Sequence, residues 1–286
     1  MLGVPTRLIS HNKAGGGDLI NLARWGFLLV MLNVFAATAV ADVPAEYRNA
    51  VRNAAELGMT LFVHDAAASR ASDVMVERGI AARDRRIRGW LTAIADDRQS
   101  VSVIFIGDDS NTPAALYRIA IPMIEGKTEV DELKSPRLLR GSLLSSWRAR
   151  QNAVRDFESR GDRCSDHYNT VVFPDERTSP LTILVYFLAT SEKPDSAMMG
   201  GNFRYEFSED GGLLKSRKAF SESCAELPLV GRSPSLLKIY HPFESAPTEF
   251  DVYLSRLHTL QLVVETESSL AWKVDGPKIT LLHPAR

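Results

Sequence analysis

The chain has 286 residues, 45% hydrophobic and 24% charged, with a formal charge of −1. That is ordinary globular composition, so disorder is not expected beyond the tails, and the balanced charge implies no polyanion such as nucleic acid as partner.

Basic Arg24 precedes an apolar run from Trp25 to Phe35, and Ala39-Val40-Ala41 follows. A run this short does not span a bilayer, whereas small residues at −3 and −1 suit signal peptidase. Residues 1–41 therefore read as a cleaved export leader. The Gly-rich stretch ahead of Arg24 is long for such a leader and suggests that translation starts downstream of Met1. The mature chain would lose Arg7, Lys13, Arg24 and Asp18, carry a formal charge of −3 and contain no transmembrane anchor. Its expected location is the periplasm or the outside of the cell.

Pro44 suits a first helical turn, and Tyr47, Val51 and Ala54 recur at helical spacing, so residues 44–57 are expected as a helix closed by Gly58. Met59 to Val63 reads as a short strand, and Asp65 as the cap of an Ala-rich helix ending at Gly79. The basic segment Asp84-Arg85-Arg86-Ile87-Arg88 reads as a solvated strand edge. Strands over 86–95, 100–106 and 114–122 form a meander, separated by Asp96-Asp97-Arg98-Gln99 and Gly107-Asp108-Asp109-Ser110-Asn111. Within 115–121, Leu116 and the isoleucines interleave with Tyr117 and Arg118, which predicts one buried and one wet face. Residues 123–135 are polar and read as a connection. Pro136, Leu139, Leu143 and Trp147 predict an amphipathic helix from 136 to about 159, stopped by Gly161, with Arg140, Arg148 and Arg155 on a solvated face.

The remainder is strand-rich. Strands are expected at 168–173 and 181–189, then a hairpin of 202–207 and 213–220 around Glu209-Asp210-Gly211-Gly212, then 236–240. Thr248 caps a helix carrying Phe250, Tyr253, Leu254 and Leu257, with Asp251 in its first turn. Strands 260–265 and 269–274 close the chain. Cys164 and Cys224 are the only cysteines, and an isolated pair in an oxidising compartment predicts a disulfide. The fold class is α+β. Residues 42–134 form an α+β subdomain of helices on an antiparallel meander, 135–163 an amphipathic linking helix, and 164–286 a β-rich subdomain with one late helix.

Within residues 197–276, Gly200-Gly201 precedes a hairpin, Tyr240-His241 ends a strand and Thr248-Glu249-Phe250-Asp251 opens a helix. Val263-Val264 then leads to Leu270-Ala271-Trp272-Lys273-Val274-Asp275. This order resembles a JAMM/JAB-type metallohydrolase domain, whose His-x-His and Ser/Thr-x-x-Asp ligands hold a zinc ion beside a glutamate base. The resemblance implies that His241 and Asp251 are ligands and that Thr248 hydrogen-bonds near the intermediate. The second histidine would fall at Phe243 or Ile239, and the glutamate near Met198, so the set is incomplete. A third ligand would have to come from His258, Glu244 or Glu249.

Elsewhere, His64-Asp65 and Asp166-His167 have acid–base character but read as a helix cap and a surface histidine. Phe187, Phe203 and Tyr205 are candidates for the wall of an apolar pocket, with core packing the plainer reading. With no complete catalytic motif, the expected role is a non-enzymatic exported protein of unknown ligand, an envelope component that works by binding, without cofactor. The alternative is a degenerate zinc-dependent JAB-like peptidase.

Overall fold

The computed structural model describes residues 43–109, 112–191, 193, 196–221, 223–229 and 236–282; residues 1–41, expected as an export leader, lie outside them. The class is α+β. A 3-10 turn, Ala45–Tyr47, leads into helix α1, Arg48–Glu77, followed by the short α2, Ile80–Arg83. Strands β1, Ile87–Ile94, β2, Ser100–Asp109, β3, Thr112–Pro122, and β4, Glu129–Leu138, form an antiparallel meander. Helix α3, Gly141–Ser159, precedes β5, Tyr168–Asp175, and β6, Thr182–Ala189. Next come β7, Ser196–Met198, β8, Phe203–Ser208, β9, Leu214–Ala219, and β10, Glu226–Pro228. The chain closes with β11, Leu236–His241, helix α4, Glu249–His258, and strands β12, Gln261–Thr266, β13, Ala271–Asp275, and β14, Lys278–Leu282.

The chain forms two compact units. One holds residues 63–229 of the described chain, the other residues 43–62 and 236–282. In the larger unit, α3 buries Trp147, Ala153 and Phe157 at helical spacing against Leu91 and Ile106 of the meander and against Val185, Phe187 and Tyr205 of the sheet β5-β6-β8-β9. Phe157 stacks on Phe187 at 4.2 Å and meets Tyr168 and Phe203 edge-on. Phe187, Phe203 and Tyr205 are therefore core residues and not a pocket wall. The opposite face of the meander packs Val101, Val103 and Phe105 on Ala71, Val74 and Met75 of α1. The hairpin β8-β9 presses its tip on α3: a Cβ at Gly211 (φ +73°) would stand 2.1 Å from the Ser145 carbonyl oxygen, and Asn152 donates to the Gly211 carbonyl at 2.9 Å. Arg148 donates to the Asp210 carbonyl, so the basic face of α3 is partly engaged within the fold.

The smaller unit is a βαβ element with two added antiparallel strands: β11 runs parallel to β12, with α4 between them in sequence, and β13 and β14 extend the sheet. Its core buries Leu262, Val264, Trp272 and Val274 of the sheet and Phe250 and Leu254 of α4, and Tyr47 meets Trp272 edge-on at 5.6 Å.

Several expectations are corrected. Residues 48–77 form one continuous helix, with no strand at 59–63 and no cap at Asp65. Gly58 does not end a helix; it lets α4 approach, because a Cβ there would lie 2.6 Å from the Glu249 carbonyl oxygen. Residues 129–138, read as connection and helix start, are the edge strand β4, so Pro136 lies in a strand and α3 begins at Gly141. Tyr117 is buried, so β3 has no simple wet face. Strands β7, β10 and β14 were not anticipated. The Cys164–Cys224 disulfide is formed. No helix among the described residues is long and apolar enough to cross a membrane.

Candidate functional site

Alternation along β11 sets the site. Leu237 and Ile239 pair with the fully buried Leu262 and Val264, and His241 pairs with Thr266, so the imidazole shares the face that α4 covers. The chain then turns and enters α4 at Thr248, which forms a capping box with Asp251. One carboxylate joins strand end and helix start. Asp251 Oδ2 accepts from the Thr248 amide at 2.7 Å and the Thr248 hydroxyl at 2.9 Å, and His241 Nε2 lies 2.9 and 3.0 Å from its two oxygens. The Asp251 side chain is 3% exposed and that of His241 13%. Because the carboxylate only accepts, the contact assigns a proton to Nε2 and orients the ring.

The capping box contributes to stability as well as position. Thr248→Ala removes a hydroxyl from a buried carboxylate and is expected to lower the unfolding free energy by ~1 kcal/mol, with Thr248→Ser recovering most of it. Urea denaturation of the three proteins checks this; equal midpoints would contradict it.

Two of the residues singled out from sequence therefore meet, with Thr248 as their anchor. The accessory ligands do not complete them: among the described residues, no three His, Cys, Asp or Glu side chains stand close enough to hold a metal ion, so His258, Glu244 and Glu249 form no third corner. Burial lowers the pKa of His258 in the last turn of α4. Glu249 is buried at the start of the same helix, and Phe243, at a position where the resemblance would place a histidine, is exposed. Met198 lies in β7 of the other unit. Compared with family models, curated proteins and solved structures, the chain matches none.

The larger unit carries polar contacts whose partners sequence reasoning did not find, although His64 and Asp65 were singled out there. Strands β1 and β5 lie side by side in different sheets, and helix side chains clamp this seam from both faces. From α1, His64 Nδ1 meets Thr92 Oγ1 at 2.7 Å while its ring stacks on Phe173, and Asp65 accepts from Asn169. From α3, the buried Arg150 donates through Nε to Thr170 and lies over the Trp147 ring; burial pulls its pKa down to about 10. A Cβ at Gly89 would stand 3.0 Å from the Arg150 Cζ. A lone glycine inside a strand pattern signals such a close approach. The exposed His167 stands just ahead of β5, where its amide donates to Ser165 Oγ.

Proposed function

We propose that this is an exported protein, periplasmic or secreted, that acts by binding through the exposed side of β11 and the turn after it. The observation that carries the reading is a run of large apolar side chains held out to solvent: Leu236 and Tyr240, both 63% exposed on one face of an edge strand, and Phe243, 69% exposed. Exposed apolar clusters on an unpaired strand edge are characteristic contact surfaces. On the opposite face of β11, the Asp251-fixed imidazole anchors the strand end that carries them. Export is supported by the leader-like residues 1–41 and by the disulfide, which persists in oxidising compartments.

The test is made in an exporting cell. The recovered protein is expected to begin at Asp42 with both sulfurs oxidised. A photo-crosslinker placed at position 240 or 243 should give one envelope adduct, competed by excess unlabelled protein and absent when the probe replaces Leu213, equally exposed on the β8-β9 hairpin. Retention in the cytosol with residues 1–41 attached, or the same adducts from all three positions, overturns the proposal.

A second reading, a zinc-dependent hydrolase of JAMM/JAB type, is supported by the His241–Asp251 contact. It requires stoichiometric zinc in the purified protein that is lost in His241→Ala; metal-free protein after zinc supplementation and dialysis rejects it.

A further inference from the structure

We propose that the larger unit carries a binding site for a small amphipathic carboxylate, built where β4 leaves its register with β3. Ala115 pairs with Arg137 but Tyr117 pairs with Glu132, so Leu133, Lys134, Ser135 and Pro136 all stand opposite Leu116. The extra residues arch away from the sheet, as bulged strands do beside binding sites. They border a half-open cavity of about 440 Å³ lined by Arg86, Leu116, Tyr117, Glu132, Leu133, Lys134 and Pro136. That volume is ordinary for a small-molecule site. Gly107 makes room for it, since a Cβ there would press within 2.8 Å of Leu116 Cδ1.

The polar wall is pre-oriented. Asp84 accepts from the Arg86 amide at 3.0 Å, Nε at 2.9 Å and Nη2 at 2.7 Å, and from the Tyr117 hydroxyl at 2.8 Å. The guanidinium is thereby fixed, while among the described residues no acceptor meets its Nη1. Glu132 is already paired with Arg83 at 3.0 Å, and Lys134 has no carboxylate partner among the described residues. Three cations, Arg83, Arg86 and Lys134, thus face two carboxylates, Asp84 and Glu132, and the balance at the cavity is one positive charge.

One negative charge on the ligand completes that balance, and Leu116, Leu133 and Pro136 offer an apolar bed for a short hydrocarbon body. A carboxylate meets Arg86 and Lys134 through charge-assisted hydrogen bonds. A dianion would overfill the charge, and a neutral alkyl chain would leave both cations unmatched.

The probe is octanoate, titrated into the oxidised protein by calorimetry and methyl NMR, with octan-1-ol as the neutral counterpart. Saturable octanoate binding is expected, with shifts at Leu116 and Leu133. It should weaken about tenfold in Arg86→Gln and in Lys134→Gln, and octan-1-ol should bind at least as weakly as octanoate binds those variants. Lys134 is exposed and makes no internal ion pair, so its variant separates ligand recognition from folding. No saturable binding, unchanged affinity in Lys134→Gln, or equal affinity for octan-1-ol overturns the proposal. The reading of β11 stands or falls independently, because its crosslinks need no octanoate.

Discussion

Replacing both cysteines by serine is expected to lower the unfolding free energy by about 4 kcal/mol. The bridge joins residues 60 apart, and closing a loop of that length in the unfolded chain removes conformational entropy worth ~4 kcal/mol at 25 °C. The native surroundings are shaped to receive it. Gly201 adopts φ +76°, and a Cβ there would fall 2.4 Å from the Cys164 Cβ, while the Cys164 amide donates to the Tyr168 hydroxyl at 2.9 Å. Removing the covalent tie leaves these contacts available, so the loss is expected mainly from the looser unfolded ensemble. Urea unfolding of oxidised wild type, reduced wild type and the Cys164→Ser/Cys224→Ser variant tests this. The last two should coincide and lie well below the first; a variant within about 1 kcal/mol of oxidised wild type would show that the bridge is not a principal support.

Acid is expected to weaken the fold most measurably at one buried histidine. His64 is packed between α1, Thr92 and Phe173, and burial pulls its pKa from 6.5 down to about 4. The unfolded chain therefore takes up a proton near pH 6.5 that the folded chain refuses until about pH 4. Across that window the unfolded state binds more protons, so stability falls as pH falls, by ~3 kcal/mol in total, and this contribution levels off below pH 4. His64→Gln removes the titration. The difference in stability between wild type and variant should shift by about that amount between pH 7 and pH 4, whereas carboxylates common to both proteins cancel in it. A constant difference would mean that the imidazole is protonated inside the fold.

The elements legible in the sequence were those whose signals are local. The Gly211-Gly212 turn announced the β8-β9 hairpin, and Thr248 with Asp251 announced the capped helix α4. Strand β4 was hidden because it is an exposed edge of polar residues with a four-residue arch, and neither alternation nor apolar runs mark such a strand. Continuity of α1 through Gly58 was hidden for another reason: the glycine answers to Glu249 and Val252, nearly two hundred residues away, and propensity alone reads it as a stop. The candidate site divides in the same way. His241 at a strand end and Asp251 in a first helical turn were paired only through the JAMM/JAB resemblance, and the Asp84–Arg86–Tyr117 network and the Arg150 clamp join segments that no motif links. Only the folded chain brings those residues together.

The smaller unit joins residues 43–62 to residues 236–282, and this ordering constrains how the molecule can assemble. During synthesis or N-terminus-first translocation, Tyr47, Gly58 and Phe62 emerge early, yet their partners Trp272, Val252 and Arg256 emerge last. The nascent first turns of α1 must therefore wait, with Tyr47, Gly58 and Phe62 without these partners, until almost the whole polypeptide has appeared. A chaperone that shields an amphipathic helix during passage would find its client surface there, and chains truncated before β12 should be the ones it fails to release.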